Sequence, residues 1–246
     1  LVPLVNWSYF FSAWGLPGRY PALFDDPKRG EEARRVFDDA QRLLSEIVDR
    51  RLLRADGVIG LYPAASDGDD IVLYADESRE RERMRLPQLR NQQADRERNL
   101  SLADFVAPLG SGVKDYVGAF AVTAGLGLEE LAGRYRSEGD DYRAIMAKLL
   151  ADRLTEAFAE ALHRYARVTL WGYEREGQWS VGDLLAEKYQ GIRPAFGYPS
   201  APDHSLKADV FALMDVGTVT GMTMTESYMI VPGEAACGLM LGHPEA

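Results

Sequence analysis

Residues 187–205 read EKYQGIRPAFGYPSAPDHS, with prolines at 194, 199 and 202 and glycines at 191 and 197. Proline fixes φ and removes a backbone donor, while glycine admits conformations closed to other residues. The stretch is therefore neither helix interior nor central strand; it is a stiff, ordered loop. It carries one arginine, Arg193, and two tyrosines, Tyr189 and Tyr198. A guanidinium offers a planar fork to a carboxylate, and a tyrosine offers a flat face with a polar tip. Around Ala195 and Gly197 the backbone is placed to present N–H and C=O groups to a ligand. The pattern suits a small zwitterionic or aromatic metabolite, although composition alone reads it as a surface connection.

The rest of the chain narrows what that ligand and its partners are. With 246 residues and 46% hydrophobic content, the chain is long and apolar enough to bury a core. Its formal charge of −10 argues against nucleic acid or an anionic membrane as partner and favours a cationic ligand or a mixed protein surface. Cys237 is the sole cysteine, so a disulfide and an all-cysteine metal site are excluded; an inert buried thiol in a reducing, cytoplasmic setting is expected. No apolar run approaches the ~20 residues that span a bilayer. The start, LVPLVNWSYFFSAW, lacks the basic region of a secretion signal, and its missing methionine suggests a fragment or a processed chain.

Residues 31–54 place apolar side chains at 33, 36, 37, 40, 43, 44, 47, 48 and 52, the spacing of an amphipathic helix. Glu31 and Glu32 open it, Arg50, Arg51 and Arg54 close it as the helix dipole prefers, and Gly57 is expected to stop it. Residues 58–62 and 71–74 read as a β-hairpin around the polar insert Asp67, Gly68, Asp69 and Asp70; calcium-loop spacing is absent, so a solvated turn is expected. Residues 78–98 are charged and read as an exposed segment with a strand end. Residues 115–123, DYVGAFAVT, suit the centre of a sheet. A short helix is expected over 128–137 and the longest over 141–168. In the latter Asp152, Glu156 and Glu160 recur at i, i+4 and i+8, a column of carboxylates that reads, alone, as a solvated face relieved by Arg153 and Arg164. Ser180 and Asp183 form a capping pair for a helix over 180–189. A helix over 207–214 and strands over 225–231 and 237–241 follow. With no repeat and no internal linker, one domain is expected.

The run at 189–205 resembles the signature of the C-terminal activation domain of cobalamin-dependent methionine synthase, an R-P-A-x-G-Y-P core followed by P-[ED]-H. Arg193, Pro194, Ala195, Gly197, Tyr198 and Pro199 match that core. The spacing N-W-x-x-F-F-x-x-W-x-L-x-G-x-Y-P from Asn6 resembles the opening of the same domain. There Asn6 replaces an aspartate, keeping a carbonyl acceptor without the negative charge. Similar short matches occur at 99–105, where Asp104 is expected to help position the strand over 115–123, at W-G-Y in 171–173 and at T-E-S in 225–227. The resemblance thus runs from Asn6 to the end of the chain.

This resemblance implies an α+β fold over residues 1–246, a single C-shaped domain with a central, mainly antiparallel twisted sheet flanked by helices. It implies a part of a larger methyltransferase of methionine biosynthesis. The domain would bind S-adenosylmethionine and supply its methyl group for reductive methylation of inactive cob(II)alamin to methylcobalamin. The cobalamin would be carried by a neighbouring domain of the same polypeptide, the electron would come from flavodoxin or a flavin reductase, and no metal would be bound by this domain itself. The domain alone would not turn over. Arg193 would pair with the ligand carboxylate, the backbone of Ala195 with Gly197 and Tyr198 would hold adenine and ribose, and Asn6 would take the amino group. Glu156 or Glu187 would stand near the sulfonium, and Asp152, Glu156 and Tyr198 would face the cobalamin domain. His204 either pins the loop or touches the ligand. No protein nucleophile or base is required, because the cobalt does that work and the protein positions the methyl. In the family the segment around His243 leads to a tyrosine pair and a helical tail, so a truncated tail is expected here. The alternative is a non-enzymatic docking module for a cobalamin domain or a flavodoxin-like electron donor.

Overall fold

A computed structural model describes residues 1–95 and 98–245. In chain order its elements are α1 (Trp7–Ala13), α2 (Gly30–Asp49), β1 (Arg54–Asp67), β2 (Asp70–Tyr74), β3 (Glu82–Pro87), β4 (Asp115–Leu126), α3 (Leu128–Ser137), α4 (Asp141–Tyr165), α5 (Val181–Leu185), α6 (Leu206–Met214), α7 (Val216–Thr220), β5 (Thr223–Met224), β6 (Ile230–Val231) and β7 (Ala235–Leu241). This is the expected mixed fold, a five-stranded antiparallel sheet flanked by helices, with strand order β3-β2-β1-β4-β7. Strands β5 and β6 form a separate antiparallel pair. The chain packs as two compact units. One comprises Leu1–Asp56, Val122–Ala161 and Pro232–Ala235, and the other Gly57–Ala121, Leu162–Val231 and Ala236–Ala246. Among the described residues no helix is long and apolar enough to cross a membrane.

The first unit is organised by α2, whose Ala33, Val36, Ala40, Leu43, Leu44 and Ile47 form the predicted buried stripe. The helix ends earlier than its charge pattern predicts. Arg50 is the C-cap, Arg51 takes a left-handed φ of 52°, and Arg54 already begins β1, so Gly57 lies inside a strand and does not stop the helix. The arginines thus lie beyond the last turn, where Arg50 pairs with Glu46 at 2.6 Å. Against this stripe sits α1, capped by Asn6, whose Oδ1 accepts the Tyr9 N–H at 3.4 Å. Its Phe10 and Phe11 are fully buried among Trp7, Trp14, Tyr20, Phe24 and Phe37. Most of the N-terminal aromatics are therefore core, with Tyr9 the exposed exception. Leu131, Tyr135, Leu150 and Leu154 of α3 and α4 complete this core.

In the second unit β1 and β2 form the expected hairpin, but β1 runs on to Asp67, leaving Gly68 and Asp69 as a tight turn with Asp67 opposite Asp70. The acids of this turn face arginines, Asp67 and Asp70 on Arg85 and Asp69 on Arg90. The charged segment that follows contains β3, in which Leu86 is buried while Arg85 on the other face is exposed. Arg96 and Glu97 of that segment lie outside the described residues. Asp104 closes a capping box with Ser101 and accepts from Arg90 at 2.6 Å; the start of β4 is held by Asp115, whose carboxylate accepts the Ala107 N–H at 2.8 Å. The strand predicted over 225–231 is instead the β5–β6 hairpin, with the T-E-S residues in its turn.

Candidate functional site

The Pro/Gly stretch is an ordered loop, and its order comes from the backbone. Ile192 and Leu241 exchange two N–H···O=C bonds of 2.9 Å, Leu239 N–H donates to Pro194 O at 3.0 Å, and Phe196 N–H donates to Cys237 O at 2.9 Å. Residues 192–196 are thereby strapped antiparallel to β7. Gly238 makes this approach possible, because a Cβ there would fall 2.1 Å from Pro194 O and 2.7 Å from Ala195 Cα. Beyond the strap the chain reverses. Gly197 has φ 98°, its N–H reaches Ala201 O at 2.8 Å, and Ala201 N–H returns to Tyr198 O at 2.9 Å. Tyr198 sits on this turn and is 58% exposed.

The turn is steadied by His204, just before α6, and by Lys207 in its first turn. The His204 ring lies where a Gly197 Cβ would be, 2.5 Å from its Cε1, and Lys207 Nζ stands 2.8 Å from His204 Nδ1. An ammonium only donates, so Nδ1 accepts. Of the two roles open to His204, this geometry is that of a loop pin. Burial lowers the Lys207 pKa, and burial pushes the neighbouring Cys237 thiol up to about 12, the inert cysteine expected.

Arg193 leaves the strapped segment with its side chain only 18% exposed. Its Nη1 donates to the Tyr189 hydroxyl, and Nη2 makes a long 3.4 Å contact with Glu187 Oε1. Glu187 is well exposed and takes φ 51°, because α5 stops at Leu185, short of the predicted 189. Beneath Tyr189 lies a fully buried guanidinium, that of Arg167, 3.6 Å from the ring centroid. Arg167 Nε donates to the buried Glu174 carboxylate at 2.7 Å, and the His163 ring meets Tyr189 edge-on at 5.2 Å. The structure therefore brings Glu187, Tyr189, Arg193, Ala195, Gly197 and Tyr198 onto one loop.

The remaining sequence-predicted residues lie in the first unit. Asn6 caps α1, and Asp152 pairs with Arg153 at 2.5 Å while Glu156 is half-buried. The solvated-face reading of their helix column is corrected at its third member: Glu160 is buried, and Arg164 turns to Glu176. Among the described residues no group of three or more His, Cys, Asp or Glu is arranged to hold a metal ion.

Sequence reasoning missed His163, Arg167, Glu174 and Lys207, whose burial no periodicity announces. His163 is fully buried, neither ring nitrogen has a hydrogen-bond partner among the described residues, and burial followed by the charges of Arg167 and Arg193 holds its pKa well below 6.5. The unfolded chain then binds a proton that the folded chain refuses, so stability is full above pH 6.5 and is lost as pH falls below it. Relative to a His163→Leu variant, the wild type is expected to lose about 1.4 kcal/mol between about pH 7.5 and about pH 5.5. Urea unfolding of both proteins at the two pH values checks this; parallel changes would refute it.

Two comparisons with known proteins show what the chain is similar to. All of the chain, residues 1–246, matches the family model for vitamin B12 dependent methionine synthase, activation domain. The chain is also similar to a crystal structure of the MetH reactivation domain bound to AdoHcy. Sequence identity is 44%, the TM-score is 0.96, and the match covers 100% of this chain and 76% of that one.

Proposed function

Because this chain belongs to the family of activation domains of vitamin B12 dependent methionine synthases, we propose that it binds S-adenosylmethionine and presents the sulfonium methyl to a cobalamin carried by a neighbouring domain of the same polypeptide. The observation that carries this reading is Arg193, a recessed guanidinium fixed by Tyr189 on a loop strapped to β7. Its fork matches a carboxylate, and the weak Glu187 contact is one that a ligand carboxylate would displace. The Ala195 backbone and the turn at Gly197 and Tyr198 would hold adenosine, and the exposed Tyr198 ring would face the cobalamin domain.

Glu187, once released, would lie close to the sulfonium. From the first unit, Asn6 is proposed for the ligand amino group, Glu156 for the sulfonium, and Asp152 with Glu156 for the cobalamin domain. When bound, the cobalamin would supply the cobalt that, once reduced by one electron from flavodoxin or a flavin reductase, takes the methyl as its bond to sulfur breaks and S-adenosylhomocysteine leaves. The residues of this chain bind, orient and shield the ligand. None is asked to act as nucleophile or base, so the chemistry rests on positioning.

Isothermal titration with S-adenosylmethionine tests the proposal. One-to-one saturable binding is expected, and Arg193→Ala should weaken it by about 2 kcal/mol, roughly thirtyfold. An intact, folded chain that shows neither heat nor a thermal shift at millimolar ligand would sink the proposal and favour a docking module.

A further inference from the structure

We propose that Arg167 is a positioning residue which, acting through the face of Tyr189, fixes Arg193 for the carboxylate of the ligand. This rests on the reading of the loop as an S-adenosylmethionine site and extends it to a layer of residues that do not touch the ligand.

Arg167 lies just past the end of α4. The helix predicted to reach 168 holds its ordinary form only to Tyr165 and then opens into a π-helical turn, Ala166–Leu170, closed by an N–H···O=C bond of 2.8 Å from Trp171 to Ala166. Such turns are rare, cost helix regularity and often accompany functional sites, because the extra residue shifts where side chains point. Here the residue inside the turn is Arg167, and it is fully buried.

A buried guanidinium loses several kcal/mol of hydration, and its pairing with a carboxylate is seldom better for stability than two apolar side chains of the same size. Arg167 and Glu174, 0% and 4% exposed at their side chains, are thus poorly explained as a stabilising device. Their geometry has a direction. Glu174 anchors one edge of the guanidinium, and its Cζ lies 3.6 Å from the Tyr189 centroid, against 4.9 to 5.9 Å for the other arginine–ring pairs among the described residues. His163 closes the edge of the same ring at 5.2 Å and 85°. Held on a face and an edge, Tyr189 is left with one orientation for its hydroxyl, which accepts from Arg193. The series Glu174, Arg167, Tyr189, Arg193 carries rigidity from the buried interior to the loop, and cation–π attraction is strongest when desolvated as it is here.

The test separates carboxylate recognition from general folding by using two probes, S-adenosylmethionine and its decarboxylated analogue, which keeps the adenosine, the sulfonium and the amine. Two variants are titrated with both. Tyr189→Phe keeps the ring on Arg167 but removes the acceptor for Arg193. The double variant Arg167→Met with Glu174→Gln removes both buried charges together. Each should weaken S-adenosylmethionine about tenfold while changing the analogue by less than about twofold, and neither should cause further loss in an Arg193→Ala background. Equal weakening of both probes would show a merely structural role and overturn the inference. So would an unchanged preference in Tyr189→Phe, which settles the matter if the double variant does not fold. A wild-type chain that binds neither probe would instead overturn the ligand reading itself, and the inference with it.

Discussion

Gly238→Ala is expected to detach the loop from β7, lowering stability by about 2–4 kcal/mol and S-adenosylmethionine affinity by at least about tenfold. The new methyl would fall on Pro194 O and Ala195 Cα at 2.1 and 2.7 Å, and both are backbone atoms with no rotamer to yield. They are held in place from both sides, by Leu239 N–H on Pro194 O and by Phe196 N–H on Cys237 O. Relief requires breaking at least one of these bonds, and the proline ring limits how far the chain can swing. Arg193 leaves the backbone next to the clash, so its guanidinium would lose its register with the ligand. Gly133→Ala in α3, where a Cβ meets nothing within 4 Å, is the control and should raise stability by about 0.5–1 kcal/mol. Chemical unfolding and titration of the two variants measure both effects. A Gly238→Ala protein that binds and unfolds like the wild type would show that the strap is not what shapes the loop.

Phe11→Ala is expected to cost about 3–5 kcal/mol, the range for removing a fully enclosed aromatic ring and leaving a cavity. Phe11 is 0% exposed and lies 5.7 Å from Phe10, 5.9 Å from Phe24, 6.3 Å from Phe37 and 6.5 Å from Tyr20, measured between ring centroids. These neighbours are carried by α1, α2 and the segment between them, so the ring ties a seven-residue helix to the twenty-residue one. A helix as short as α1 has little stability of its own and depends on that packing. A thermal midpoint lowered by about 10 °C would agree with this cost. A loss below about 1 kcal/mol would show that the nest collapses around the gap.

The parts of the fold and site that were legible are those in which residue type acts locally. The prolines and glycines of 187–205 dictate a loop whatever surrounds them, and the spacing in α2 dictates its buried face. Asn6 also caps α1, a role its residue type favours and that the sequence reading did not assign to it. Strand β3 was half concealed because its outward face is charged, and the end of α2 because its charge pattern outlasts its apolar stripe. The layer beneath Arg193 was not legible at all. A charged residue is buried only when a partner distant in the fold comes to meet it, and Arg167 meets Glu174 and Tyr189 through a π turn that hydrophobic spacing does not encode.

The strap of residues 192–196 has one more consequence, which concerns solubility. Strand β7 ends the five-stranded sheet, and an uncovered end strand offers a row of amides and carbonyls on which a strand of another molecule can grow. In this chain the row is occupied by the loop itself, through the bonds at Ile192, Pro194 and Phe196. The backbone that orients the proposed ligand arm therefore also closes this edge of the sheet to a strand of a second copy, so recognition and protection against edge pairing rest on the same few residues.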